Sequence, residues 1–63
     1  MQVLQYKLVG EREYILLKAE HATPQYIHIV RDTEGKILAR IPISAPTDWN
    51  ACDFANDYIK ANW

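Results

Sequence analysis

The sequence has little of what small domains commonly use to hold themselves together. Its 63 residues include one cysteine, two glycines and three prolines. A single cysteine, Cys52, forms no internal disulfide, so the usual cross-link of small secreted domains is excluded and a reducing compartment, the cytosol, is expected. The scarcity of glycine and proline excludes collagen-like and low-complexity disordered chains.

The sequence also lacks a strong charge and a long hydrophobic run. Seven Lys and Arg oppose eight Asp and Glu, a formal net charge of −1. No overall field therefore draws the chain to nucleic acid or to an anionic membrane surface. No run approaches the roughly 18 apolar residues of a membrane span, and Lys7 interrupts the apolar stretch at residues 1–9 where a signal peptide would lie. We expect no membrane association.

The composition is that of a folded domain. Hydrophobic residues make up 49% of the chain and charged residues 24%, a balance typical of globular proteins. At this length there is room for a single small domain over residues 1–63. Because such a chain buries only about 60% of its unfolded surface, a second copy or another partner is expected to stabilise it.

Alternating apolar residues at the N-terminus predict a β-hairpin. Residues 3–9 alternate with the period of a half-buried strand. The pair Gly10-Glu11 suits a two-residue turn, since Gly takes the positive φ required there. The predicted register pairs Val9 with Arg12, Leu8 with Glu13, Lys7 with Tyr14, Tyr6 with Ile15, Gln5 with Leu16, Leu4 with Leu17 and Val3 with Lys18.

A second hairpin is predicted after a loop at residues 20–24. Residues 25–31 alternate again, and residues 32–36 suit a type I turn followed by Gly35 in the left-handed region. Pairing Asp32 with Lys36 sets the register. It places Ile29 opposite Ala39, Ile27 opposite Ile41, Val30 opposite Leu38, His28 opposite Arg40 and Tyr26 opposite Pro42.

The remainder of the chain predicts one helix, from residue 45 or 46 to residue 60 or 61. Ser44, Thr47 and Asp48 are candidate N-caps around Pro46. The predicted apolar stripe consists of Trp49, Cys52, Ala55, Ile59 and Trp63, with Ala51, Phe54 and Tyr58 beside it. This arc is wider than the stripe that one sheet face normally covers.

The sequence therefore predicts an α+β fold: a four-stranded antiparallel β-meander with one C-terminal helix packed on one face, in the order ββββα. We expect the face beneath the helix to be the one richest in aliphatic residues. Its predicted members are Leu4, Tyr6, Leu8, Ile15, Leu17, Ala19, Ile27, Ile29, Ile37, Ala39, Ile41 and Ile43.

The other sheet face is the candidate interaction surface. Its predicted residues are Tyr14, Leu16, Lys18, Tyr26, His28, Val30, Leu38 and Arg40. Contiguous apolar surface on so small a chain indicates a partner. One interpretation is a homodimer, and a second is docking onto a different protein. A third is single-stranded nucleic acid, with bases stacked on Tyr14 and Tyr26 and phosphates bound by Lys18, Arg40 and Arg12.

No catalytic, cofactor or metal motif is present. Asp53 and Asp57 are spaced as on a solvated helix face. Cys52 is predicted on the buried stripe and His28 on the opposite sheet face, so the two do not form a nucleophile pair. His21 has only Glu20 near it at ligand spacing. We expect no enzyme activity, no cofactor and no metal site.

The order ββββα, with Ile43-Ser44 ahead of a helix that opens near Trp49, resembles the topology of single-strand-binding domains of the whirly type. In size and composition the chain is similar to small accessory proteins of phages and prophages. The function expected from the residues is a non-enzymatic binding module: a small cytosolic regulator or inhibitor that self-associates and acts through protein–protein interaction. A single-stranded nucleic-acid-binding domain is the alternative.

Overall fold

The computed structural model describes residues 2–19 and 25–63. Four strands and one helix follow one another along the chain: β1 (Gln2–Val9), β2 (Arg12–Lys18), β3 (Tyr26–Arg31), β4 (Ile37–Ile43) and α1 (Asp48–Asn62). The strands form one antiparallel sheet in the order β1-β2-β3-β4. The predicted ββββα fold is confirmed. The predicted loop at residues 20–24, with His21, lies outside the described residues.

The first hairpin has the predicted turn and most of the predicted register. Gly10 takes a φ of +62°, and the pairing from Val9–Arg12 to Gln5–Leu16 is as predicted. The register then shifts between Val3 and Gln5, so that Val3 pairs with Leu17 and Gln2 with Lys18. The predicted pairing of Val3 with Lys18 and of Leu4 with Leu17 is therefore wrong. A bulge turns Leu4 to the other face of the sheet.

The second hairpin has the predicted turn but a different register. Gly35 takes a φ of +83°, and the Asp32 amide donates to the Lys36 carbonyl at 3.0 Å. Leu38 is then an extra residue in β4, because Val30 pairs with Ala39 while Arg31 pairs with Ile37. The observed pairs are Tyr26 with Ile43, Ile27 with Pro42, His28 with Ile41, Ile29 with Arg40 and Val30 with Ala39. The predicted register of β3 against β4 is wrong by one residue.

The helix packs on the sheet face that the sequence predicted to be the interaction surface. We call this side the covered face, and its buried sheet residues are Tyr14, Leu16, Tyr26, His28, Val30 and Ile43. They pack against Ala51, Ala55 and Ile59 of α1, with Leu4 and Ala39 at the margin. The opposite side, the open face, holds most of the predicted core. The prediction of which face meets the helix is therefore wrong.

Small residues of α1 explain the fit of the covered face. Ala51 and Ala55 are fully buried beneath the helix, and their short side chains let the helix approach the sheet closely. The larger Tyr14, Leu16 and Tyr26 fill the space that remains. The helix packs mainly over β1 and β2. Its long aromatic side chains lie to the sides of this contact rather than in it.

Thr47, one of the three candidate N-caps, starts the helix. Its backbone is extended, and its side-chain oxygen accepts from the Asn50 amide at 3.1 Å. α1 begins at Asp48 rather than at residue 45 or 46, because the backbone of the cap residue Thr47 is extended and not helical. The carboxylate of Asp48 in the first turn complements the helix dipole.

Candidate functional site

The predicted interaction residues do not form one surface. Five of the eight are buried beneath α1: Tyr14, Leu16, Tyr26, His28 and Val30. Lys18 is half-buried at the edge of the covered face. Arg40 pairs with Ile29 and so lies on the open face. Leu38 is exposed beside the bulge of β4. The sheet face that α1 leaves uncovered is the open face.

The open face is defined by the observed pairing as one continuous apolar surface. It comprises Val3, Tyr6, Leu8, Glu13, Ile15, Leu17, Ile27, Ile29, Arg31, Ile37, Arg40 and Pro42. Among the described elements, none packs over it. Tyr6 is 53% exposed and Leu8 63% exposed. Residues at the centre, such as Ile15 and Ile29, are shielded by their neighbours in the sheet.

A chain of polar contacts crosses one end of the open face. The Tyr6 hydroxyl donates to Glu13 Oε1 at 2.9 Å, and Arg31 Nη2 lies 2.8 Å from Glu13 Oε2. These contacts join β1, β2 and β3. The pKa of Tyr6 is raised, chiefly by its hydrogen bond to the Glu13 carboxylate. Glu13 and Arg31 form an ion pair, so this end of the face carries no isolated charge, although Arg31 Nε is buried without a hydrogen-bond partner among the described residues.

A second polar cluster fixes the start of α1 to the sheet. The Tyr26 hydroxyl donates to Asp48 Oδ1 at 2.7 Å, and Lys18 Nζ lies 3.1 Å from the same oxygen. The hydrogen bond from Tyr26 is the main reason that the pKa of Asp48 is lowered, and the contact with Lys18 acts in the same direction. Tyr26 and Lys18 therefore position the helix, and their polar groups are already engaged.

His28 is a buried polar residue of the described core, and the hydroxyl of the neighbouring Tyr14 is likewise buried without a hydrogen-bond partner among the described residues. His28 is 1% exposed, and neither Nδ1 nor Nε2 has a hydrogen-bond partner among the described residues. Its ring centroid lies 5.6 Å from that of Tyr14 and 5.4 Å from that of Tyr58, which meets it edge-on. Burial lowers the pKa of His28. The imidazole is therefore held neutral at physiological pH.

Aromatic packing closes the end of the covered face beyond His28. The Tyr14 ring meets Trp63 edge-on at 5.4 Å, and the Arg12 guanidinium lies 3.8 Å from the centroid of the Trp63 ring. A cation over an indole face is a favourable contact. Arg12, a candidate phosphate ligand in the sequence, is thus engaged with an aromatic side chain of the same molecule.

Cys52 lies in α1, half-buried against the cluster around Leu16. Burial is the main cause that raises the pKa of its thiol, and Asp48 and Asp53 raise it further. The thiol is therefore protonated at neutral pH and is a poor nucleophile. Across residues 2–19 and 25–63, no three His, Cys, Asp or Glu side chains are grouped closely enough to hold a metal ion.

Two features of the site were not predicted from the sequence. One is the open face itself, which was assigned to the core. The other is a groove between α1 and β4, whose walls include Ile41, Phe54 and Tyr58. The width of the apolar arc on the helix was a signal for this groove, because it predicted that part of the helix surface would extend beyond the sheet contact.

No protein family, no curated protein and no solved structure matches the chain. In the described part of the chain, α1 is too short and too polar to cross a lipid bilayer.

Proposed function

We propose that this protein is a non-enzymatic binding module, a small cytosolic regulator or inhibitor that self-associates through the open face of its sheet. The observation that supports this most directly is the exposure of Val3, Tyr6 and Leu8 beside an aliphatic centre. Contiguous apolar surface of this kind marks a protein interface in soluble proteins. A second copy is the partner that presents a matching apolar surface of the same size.

The dimensions of the open face favour a weak dimer. Strands of 6 to 8 residues, at about 3.3 Å per residue and about 4.8 Å between strands, give a face of roughly 400 Å² in projection. Two copies packed face to face would bury roughly 800 Å², below the roughly 1,200 Å² that separates transient from stable interfaces. We therefore expect dissociation in the micromolar range or above.

The charges of the open face favour an association driven by apolar burial. Glu13 and Arg31 form an ion pair within one copy, so they require no partner of opposite charge. Arg40 is the remaining charge of the open face, and it lies exposed on the edge strand β4, at the margin of the aliphatic centre. The central positions, Ile15, Leu17 and Ile29, are aliphatic. Burial of such residues depends little on salt, whereas contacts between exposed charges are screened. Dimerisation is expected to persist at high ionic strength.

A different protein would then be bound elsewhere on the dimer. Trp49 is 72% exposed at the start of α1, on the side of the molecule opposite to the open face. Exposed Trp is enriched among residues that dominate protein interfaces. Self-association and regulation of a second protein therefore use separate surfaces. The cytosolic location is supported by the lone thiol, Cys52, in a chain without a possible internal disulfide.

The nucleic-acid alternative loses its structural support. Tyr14 and Tyr26 were its predicted stacking platform, and both rings are buried beneath α1. Lys18 contacts Asp48, and Arg12 lies over Trp63. Arg40, the third predicted phosphate ligand, is exposed but lies on the open face, away from both rings. A single strand would therefore not meet the predicted rings and cations on one surface.

The test is sedimentation equilibrium of wild type and two lysine variants from the micromolar to the millimolar range. Leu8→Lys places a charge on the open face and should abolish association. Trp49→Lys adds the same charge at another exposed apolar residue and should leave it unchanged. Wild type that stays monomeric throughout would refute the proposal. Equal dimerisation of wild type and Leu8→Lys would show that the open face is not the interface.

A further inference from the structure

The covered face is not fully covered. Because α1 packs mainly over β1 and β2, a groove remains between the helix and the edge strand β4. It has a volume of about 310 Å³, which is near the lower end of the range for small-molecule sites. The residues that line it are His28, Ile41, Pro42, Ile43, Ser44, Phe54 and Tyr58.

An unpartnered polar group lies at the base of this groove. His28 lines it, is 1% exposed, and has no hydrogen-bond partner at either ring nitrogen among the described residues. A neutral imidazole carries one donor and one acceptor. Buried polar groups in native proteins are almost always hydrogen-bonded, so two free nitrogens in one ring require an explanation. A bound molecule that reaches the ring would supply the missing partner.

The walls of the groove restrict the chemistry of that molecule. Phe54 is half-exposed at its side, and Ile41 and Pro42 belong to the facing strand. This arrangement suits a flat apolar ring. No Lys or Arg is among the lining residues, so a buried carboxylate or phosphate would have no counter-charge. A neutral hydroxyl can donate to the unprotonated ring nitrogen or accept from the protonated one, so it pairs with one of the two nitrogens of the neutral imidazole.

We propose that the groove between α1 and β4 binds a small aromatic molecule with one hydroxyl group, whose ring packs between Phe54 and Ile41 and whose hydroxyl hydrogen-bonds to His28. The imidazole nitrogens lie beneath the surface, so binding includes a small outward movement of Tyr58 or Phe54. His28, Phe54 and Tyr58 lie on the opposite side of the sheet from the open face, and Pro42 of the edge strand is the residue that the groove shares with that face.

Phenol and benzene are the matched probes for this site, since they differ only in the hydroxyl. Titration of the full-length, isotope-labelled chain with each, followed by NMR, gives both affinity and location. Phenol should bind about tenfold more tightly than benzene, because a site that pairs with a hydroxyl rejects the analogue that lacks it. The shifted resonances should belong to residues 41–44, 54 and 58, and the His28 ring nitrogens should shift with phenol only.

Two variants separate the hydrogen bond from the apolar groove. His28→Leu should retain binding of benzene and lose the preference for phenol. Trp49→Ala removes an exposed aromatic residue of the same helix that does not line the groove, and it should change neither affinity. If His28→Leu does not fold, the ring-nitrogen shifts of wild type decide the question.

Three results would overturn the proposal. The first is equal affinity for phenol and benzene, which would assign the His28 nitrogens to an ordered water alone. The second is a set of shifted resonances outside the groove. The third is an unchanged His28 ring in the presence of saturating phenol.

Discussion

At the scale of single residues, His28 is the side chain whose environment departs most from its ordinary one. It is buried without a hydrogen-bond partner among the described residues, and burial lowers its pKa below the ordinary 6.5. The titratable side chains that pack against its ring are Tyr14 from β2 and Tyr58 from α1. Both are phenols, so neither ring places a carboxylate against the imidazole, and His28 itself should govern the response to mild acid.

The folded protein should lose stability as the pH falls below 6.5. Above that pH the imidazole is neutral in both states and contributes no pH dependence. Below it the unfolded chain binds a proton that the folded chain resists, so the free energy of unfolding falls by up to about 1.4 kcal/mol per pH unit until the folded pKa is reached. Urea denaturation at pH 7.5 and pH 5.0 measures this difference.

One variant controls this experiment. His28→Leu should remove most of the loss, because it removes the titrating group. Asp48, whose pKa is lowered from the ordinary 3.8, loses its contribution only at a lower pH and does not interfere. A wild-type stability that is flat between the two pH values would contradict the burial of a neutral His28.

At the scale of elements, the two glycine turns set the hairpins. Gly35 has a φ of +83°, and a β-carbon added there would meet nothing within 4 Å. Any cost of substitution is therefore a cost of backbone conformation rather than of crowding. Gly35→Val should lower the free energy of unfolding by about 1–2 kcal/mol, as measured by urea denaturation.

Gly35→Asn is the matched variant for this prediction. Asn tolerates the left-handed region better than other residues with a β-carbon, so it should retain most of the stability. With respect to the residue at position 35, the free energy of unfolding should therefore be highest with Gly, lower with Asn and lowest with Val. Equal losses in both variants would indicate that the side chain, rather than the sign of φ, is responsible.

The bulges determine more of the strand pairing, and of which side chains lie on each face, than the turns do. Both glycine turns are where the sequence predicts them, yet Leu38 in β4 and the irregularity at Leu4 in β1 shift the pairing beyond them. Side chains alternate between the two faces, so one inserted residue exchanges the face of every residue after it. This is why Ile41 and Ala39 share a face with His28 and Val30 rather than with Ile27 and Ile29.

At the scale of the whole molecule, two adjacent leucines of β2 test which face is which. Leu16 is 1% exposed beneath α1, whereas Leu17 lies on the open face between Val3 and Ile27. Leu16→Lys buries an unpaired charge and should unfold the chain or cost about 3 kcal/mol or more. Leu17→Lys should keep the fold and weaken self-association. Circular dichroism and sedimentation report the two outcomes.

The opposite result would be equally informative. If Leu17→Lys unfolds the chain while Leu16→Lys remains folded, α1 packs on the face that contains Leu17, and that face is the core. The two substitutions are chemically identical and adjacent in sequence. A difference in helix content or in association between the two variants therefore arises from the sheet face on which the lysine lies.

The sequence by itself determined the order of the elements, the two positive-φ glycines and the region of the helix cap. These depend on local interactions: alternation within a strand, the conformational freedom of Gly10 and Gly35, and a side chain at Thr47 that accepts from the helix backbone. Only the tertiary structure decided which face of the sheet meets α1. Both faces carry alternating apolar residues, so periodicity indicates which residues share a face only within a strand that has no bulge, and it does not indicate which face is buried. That choice depends on the bulges, on the fit of Ala51 and Ala55 against large side chains, and on the hydrogen bond from Tyr26 to Asp48, all of which join residues distant in sequence.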